Sequence, residues 1–210
     1  NEEVKDLNLS INDHLRKDLT NVPFVTIDGA DAKDFDDAVF CNLNDSGFLL
    51  NVAIADVAAL VSENSYFDQE AKKRGTSIYF PSKVIPMLPE KISNNLCSLV
   101  PDEIRNVLVC EINFSLDGSI KSYKFLQAKI LSHRRMTYTE VEQYIKNSNS
   151  DISKQIKTSL DALNLLTKNL LTKRSQRKAL EIEGNEPILS IDEDGKVSSI
   201  NLPQRLYAHQ

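Results

Sequence analysis

Five aspartates fall within ten residues of one stretch, Asp28-Gly29-Ala30-Asp31-Ala32-Lys33-Asp34-Phe35-Asp36-Asp37. Like charges this close repel unless water screens them or a cation neutralises them. Carboxylate oxygens are the preferred donors of hard divalent cations, so a convergent set of them is a natural Mg²⁺ or Mn²⁺ site. An exposed acidic turn accounts for the same composition on local grounds, because Asp and Gly favour turns. The cluster alone leaves these two readings level. A calcium loop of the EF-hand type needs Glu at its twelfth position, and counting from Asp28 that position is Val39. An aspartyl-phosphate phosphatase needs Asp-x-Asp-x-Thr/Val directly after a strand. Asp34-Phe35-Asp36-Asp37-Ala38 ends in Ala and follows a loop.

The flanking elements decide whether such a cluster is held rigidly. Residues 22–26 read as a strand, and 38–43 and 48–55 as two more joined through Asn44-Asp45-Ser46-Gly47. The acidic stretch thus lies between strands that fix its ends, as a catalytic site requires. Ser65 opens a helix with Asp68 as its capping partner, and Gly75 closes it. Residues 76–80 are extended, and the three prolines of 81–89 predict a rigid, irregular connection. Over 107–115, Leu108, Cys110, Ile112 and Phe114 share one strand face, with Glu111, Asn113 and Ser115 on the other. A turn at 116–118 leads into a long strand to about 132. Thr137 and Glu140 start a short helix. Ile152, Ile156, Leu160, Leu163, Leu166 and Leu170 mark a long amphipathic helix. A hairpin over 188–201 and the first turns of a helix over 202–210 complete the chain. The expected class is α+β, a mixed and largely antiparallel sheet with flanking helices.

Of 210 residues, 41% are hydrophobic and 26% charged, the balance of a globular domain with its own core. No apolar run approaches a membrane span, so no membrane contact is expected, and the polar N-terminus does not read as a signal peptide. The first residue is Asn1 rather than Met, which suggests a piece of something longer. A net charge of −5 counts against a protein that holds nucleic acid over its whole surface, not against a local acidic site. Cys41, Cys97 and Cys110 sit among apolar neighbours and read as buried thiols in a reducing compartment. His14, His133 and His209 are not spaced with them as zinc ligands.

The run from Ile27-Asp28 to Asp34-Phe35-Asp36-Asp37-Ala38 resembles the signature of the catalytic domain shared by ribonuclease II, ribonuclease R and the exosome nuclease subunit. Asp28, Asp34, Asp36 and Asp37 occupy its four acidic positions, and Asp31 falls where the family fixes nothing. Val52-Ala53-Ile54-Ala55-Asp56-Val57, Arg74-Gly75-Thr76-Ser77-Ile78-Tyr79-Phe80-Pro81, Val84-Ile85-Pro86-Met87-Leu88-Pro89, Leu96-Cys97-Ser98-Leu99 and Leu131-Ser132-His133 with Thr137-Tyr138 resemble further blocks in the family's order. Several ordered blocks are far more specific than one acidic motif. The wording around Tyr79 is closest to the ribonuclease R branch.

The resemblance implies a 3′-to-5′ exoribonuclease, cytoplasmic and part of RNA decay, that hydrolyses single-stranded RNA to nucleoside 5′-monophosphates with Mg²⁺ or, in its place, Mn²⁺. It implies that Asp28 and Asp37 ligate the metal with Asp34 and Asp36, and that Asp36 and Asp34 serve catalysis. Tyr79 would stack on the 3′-terminal base. Apart from the resemblance, Arg74 is an RNA-contact candidate and, like Lys83 and Arg105, is equally readable as solvated surface charge; the basic run of 168–178 reads foremost as a solvated face and only weakly as an RNA contact, and His133 reads as structural. Residues 1–21 read as a lead-in and 22–210 as the front of the catalytic domain. The family's arginine-rich second half and its flanking RNA-binding barrels have no counterpart here, so this piece is expected to fall short of full activity. The alternative is a non-catalytic RNA-binding or regulatory module on the same scaffold.

Overall fold

Five strands whose inward positions, Phe24 apart, are small or β-branched build a sheet that closes on itself. The computed structural model describes residues 15–80, 83–147, 151–180, 187–202 and 205–210. In chain order these form β1 (Lys17–Asp18), β2 (Phe24–Asp28), β3 (Asp37–Asn44), β4 (Gly47–Ala55), α1 (Tyr66–Arg74), β5 (Ile78–Phe80), β6 (Lys83–Ile85), a π-helical turn (Ile92–Leu96), β7 (Ile104–Phe114), β8 (Ile120–Thr137), α2 (Tyr138–Asn147), α3 (Lys154–Gln176), β9 (Ile188–Ile191) and β10 (Val197–Asn201). The expected mixed α+β class holds.

The 18-residue β8 makes closure possible. Its first part runs antiparallel to β7, from Phe114↔Ile120 to Ile104↔Leu131. Its last part runs parallel to β2, from Phe24↔Ser132 to Asp28↔Thr137. The antiparallel pairs β2–β3, β3–β4 and β4–β7 complete the ring, and β1 adds alongside β8. Phe24, Ala38, Ala53, Val107, Val109, Ala128 and Ile130 fill the interior, all fully buried. Alanine at three of these positions suits so narrow a barrel, where large side chains from every strand would collide.

The outer face is covered on one side only. Val25 and Met136 pack against Val141 and Tyr144 of α2 and Ile156 and Leu160 of α3. Cys41, Phe48 and Phe114 meet Ala162 and Leu166 of α3. The Ser159 hydroxyl accepts from the Cys41 N–H at 2.9 Å and ties α3 to β3. Over the rest of β4, β7 and β8 no described residue covers the outer face: Ile54, Leu108, Tyr123 and Phe125 are exposed.

Local signals translate directly. Ser65 caps α1 by accepting from the Asp68 N–H, and Gly75 ends the helix at φ 71°. Thr137 and Glu140 cap α2 reciprocally, Thr137 N–H to Glu140 Oε2 at 2.7 Å and Glu140 N–H to Thr137 Oγ1 at 3.2 Å. Gly47 is required in the β3–β4 turn, where a Cβ would lie 1.9 Å from the Phe114 carbonyl oxygen.

Three features depart from expectation. Lys83–Ile85, inside the proline-rich connection, is a strand paired with β5, because its prolines flank the ladder rather than interrupt it; residues 81 and 82 lie outside the described residues. In β7 the apolar Leu108 is exposed while Arg105 is buried, because the strand faces the barrel on one side and α3 only near Phe114 on the other. Within 202–210 the one described helical element is a single 3₁₀ turn, Tyr207–His209, held to α2 by the Ala208 N–H donating to Glu142 at 3.0 Å.

Candidate active site

The acidic residues gather at one mouth of the barrel. Asp28 is the last residue of β2, opposite Thr137. Asp37 is the first of β3, opposite Ile54. The Asp36 carbonyl accepts from the Ala55 N–H at 2.8 Å, bringing the end of β4 to the same place.

The loop between Asp28 and Asp37 is anchored from two other segments, the one after the π-helical turn and β8. Ser98, fully buried, donates to the Lys33 carbonyl at 2.9 Å and accepts from the Phe35 N–H at 3.0 Å. The Leu99 N–H donates to the Phe35 carbonyl at 2.9 Å. From β8, Arg135 donates to the carbonyls of Gly29 at 3.1 Å and Ala30 at 2.6 Å, with its guanidinium 4.9 Å from the Phe35 ring centroid. Phe35 itself is buried in the barrel core, so the loop is pinned by packing as well as by hydrogen bonds.

The electrostatics are those of crowded carboxylates. Burial first, then the charge of Asp37, pushes Asp28 up to about 6; Arg135 pulls the other way, and Asp34 and Asp36 add to the rise. Asp36 is raised by burial and by Asp34 and Asp37, and Asp37 by burial. Asp36 and Asp37 are open to solvent, which screens much of their repulsion. Asp28 differs, because its Oδ2 is buried and has no hydrogen-bond partner among the described residues. A buried carboxylate oxygen without a donor is costly, and a cation relieves it.

Among the described residues, no three His, Cys, Asp or Glu side chains already stand as a preformed metal cage. This does not conflict with a Mg²⁺ site, since Mg²⁺ is commonly held by one or two carboxylates, waters and substrate phosphates. The donor set therefore fits a hard divalent cation.

Tyr79, on β5, reaches the same loop: the residue is 67% exposed and its hydroxyl donates to Asp34 Oδ2 at 3.4 Å. The two line a cleft of about 490 Å³ between the acidic loop, the β5–β6 hairpin and the π-helical turn. Arg74 is not brought there. It donates to Glu70 at 3.2 Å and to the Pro86 carbonyl at 2.7 Å, fastening α1 to the hairpin. Arg105 is neither a phosphate contact nor a solvated charge: it is buried and donates to the Ser98 carbonyl at 3.0 Å and the Asn95 carbonyl at 3.1 Å. His133 Nε2 lies 3.0 Å from the Thr20 carbonyl, a structural contact away from the aspartates. In the basic run, Lys173 pairs with Asp117 at 2.9 Å, and Lys173, Arg174 and Arg177 rim a separate groove beside Ile120 and Leu170.

Arg135, Ser98 and Tyr138 escaped the sequence reading. Tyr138 follows Thr137, the residue opposite Asp28, and burial, then the charges of Asp28 and Asp37, raise its hydroxyl. All three stand in or beside the blocks around Leu99 and Thr137, and that adjacency was the available signal.

A family model described as RNB domain matches residues 16–210. Ribonuclease R of Vibrio parahaemolyticus is 43% identical over 198 residues, covering 93% of this chain and 24% of its own length. Ribonuclease R of Escherichia coli K12 is 43% identical over 199 residues, again 93% and 24%. The chain thus spans about a quarter of the length of the curated relatives it matches. A solved structure of Mycoplasma genitalium RNase R in complex with ribose-methylated single-stranded RNA superposes with a TM-score of 0.94 at 36% identity, over 99% of this chain and 33% of that one.

Proposed function

Because the chain belongs to the RNB-domain family, we propose that it is the acidic half of the catalytic domain of an exoribonuclease, one that hydrolyses single-stranded RNA from its 3′ end to nucleoside 5′-monophosphates. The observation that carries this reading is Asp28, a carboxylate with one oxygen buried and unpartnered, pressed by Asp34, Asp36 and Asp37 at the mouth of the barrel.

Asp28 and Asp37, at the ends of adjoining strands, would hold Mg²⁺ or Mn²⁺, with Asp34 and Asp36 completing the set through the loop. When bound, the cation supplies charge neutralisation at the scissile phosphate and lowers the pKa of attacking water. The chain's own residues do the rest. Arg135 and Ser98 fix the loop so that the carboxylates keep their spacing. Asp36, exposed and with its carboxyl raised by burial and by Asp34 and Asp37, would orient the water and accept its proton. Tyr79 offers a ring face for the terminal base, and stacking of this kind is indifferent to base identity. Expected partners are an RNA 3′ end and other RNA-decay proteins. Residues 22–210 would form the front of the domain behind a 1–21 lead-in, and the phosphate-gripping cations would come from the rest of the parent protein.

The test is the full-length parent with 5′-labelled single-stranded RNA and Mg²⁺. The expected result is progressive shortening from the 3′ end with release of 5′-monophosphates, lost in Asp36→Asn. RNA binding without any hydrolysis would overturn this reading in favour of a non-catalytic RNA-binding module.

A further inference from the structure

One residue removed from the acidic loop, a guanidinium is buried almost completely. Arg105, near the start of β7, is 4% exposed. Its ion-pair partner among the described residues is Glu103, at 2.6 Å, whose own side chain is 58% exposed. Burying such a charge is costly, and an apolar side chain of similar volume often serves stability as well or better. The reason for a charge here lies in what it holds.

Each nitrogen of the fork donates to a main-chain carbonyl. Nε bonds that of Ser98 at 3.0 Å, Nη2 that of Asn95 at 3.1 Å and Nη1 that of Ile104 at 3.2 Å. Asn95 lies in the π-helical turn, and the last carbonyls of a helical turn have no partner within it. Arg105 therefore closes the turn and seats Ser98 just beyond it. A planar fork fixes several acceptor directions at once, which a lysine ammonium on its flexible stem does not.

Ser98 carries that geometry to the aspartates. Its hydroxyl donates to the Lys33 carbonyl at 2.9 Å and accepts from the Phe35 N–H at 3.0 Å. These two residues flank Asp34. One hydroxyl thus holds the rigid peptide groups on both sides of Asp34, and with them the direction in which its side chain leaves the backbone. The Leu99 N–H, bonded to the Phe35 carbonyl at 2.9 Å, repeats the anchorage one residue on. Arg105 and Ser98 are both buried, so neither is placed to touch RNA.

We propose that Arg105 is a positioning residue for Asp34: through Ser98 it sets the direction of that carboxylate, and so the affinity of the acidic site for its cation. This rests on the metal-assisted exoribonuclease reading above and adds to it a residue that acts on the site without touching it.

The experiment is a double-mutant cycle on the full-length parent, with Arg105→Lys, Ser98→Ala and the two together. Each is scored by the Kd for Mn²⁺ from calorimetry, by kcat and KM for single-stranded RNA, and by Tm. Each single variant should lose about ten-fold in Mn²⁺ affinity and in kcat, the usual effect of freeing a group that orients a ligand, with KM for RNA unchanged. The double variant should fall no further than Ser98→Ala alone, because Arg105 acts through Ser98. A lower Tm with unchanged Mn²⁺ affinity and kcat in Arg105→Lys would make that residue a support of the fold alone and overturn the proposal. Losses that add in the double variant would overturn it as well. Should Arg105→Lys not fold, Glu103→Gln takes its place in the cycle, since it removes the anion that holds Nη2 and leaves the core packed. The same coupling to Ser98→Ala is then expected; no loss, or a loss that adds as a distant charge effect would, refutes the proposal. A wild type that binds no Mn²⁺ and releases no nucleotide sinks the exoribonuclease reading and this one with it.

Discussion

At the scale of single residues, the site is a balance between repulsion and anchorage. Asp28 holds its proton more tightly when folded, at about 6 against 3.8 for the free carboxyl. A raised carboxyl pKa stabilises below the unfolded value, and that stability is lost as pH rises through the folded value. Without divalent cations, thermal denaturation should therefore show this contribution declining between about pH 4 and pH 7. Asp28→Asn should flatten that decline and raise the metal-free Tm at pH 7.5 by roughly 2–4 °C for each kcal/mol regained. Calorimetry should show Mn²⁺ affinity falling at least about ten-fold in the same variant, one lost carboxylate ligand being worth 1.4 kcal/mol or more. A variant whose Tm falls with pH as much as the wild type's, and which responds to metal as strongly, would remove Asp28 from the site. Arg135→Met should also weaken Mn²⁺ binding, because it frees the Gly29 and Ala30 carbonyls while leaving every carboxylate in place. The four aspartates were legible because their spacing lies within one stretch. Arg135 and Ser98 were not, since each meets the loop from more than sixty residues away and nothing in local pattern announces such a meeting.

At the scale of elements, what a few neighbouring residues decide was readable. Ser65, Gly75, Thr137 and Glu140 cap their helices through contacts within four residues, and α3 follows its apolar spacing. What a distant partner decides was not. Ser159 reads as a polar interruption of the apolar stripe, yet it is buried because its hydroxyl serves the backbone of β3. Ser159→Ala leaves the Cys41 N–H unpaired in the core and should cost about 1–3 kcal/mol in urea denaturation. Gly47→Ala should cost at least as much, since its new methyl would meet the Phe114 carbonyl. A loss below about 0.5 kcal/mol in either case, the range of ordinary surface changes, would mean that the β3–β4 edge gives way more easily than its contacts suggest.

At the scale of the whole molecule, the sequence read correctly as mixed α+β, but ring closure was invisible, because β8 must be counted twice to see it. The one-sided cover was equally hidden: Leu108 and Phe114 look alike along β7, and only α3 separates their fates. The bare face around Tyr123 and Phe125 should bind the dye ANS, and Tyr123→Ser with Phe125→Ser should reduce that fluorescence without lowering Tm, since neither ring is buried. A marked fall in Tm would mean that the two rings support the barrel after all. The double use of β8 also governs when the fold can exist during synthesis. Phe24 and Ser132, more than a hundred residues apart, are paired neighbours, and the barrel has no wall until the second arrives. A nascent chain carries the five aspartates long before β8 leaves the ribosome, with no ring to fix them. The proposed metal site could therefore mature only late, and such long-range parallel pairing is intrinsically slow to form. Refolding watched through Mn²⁺ binding should lag behind the helical signal of α3, whose backbone hydrogen bonds are local.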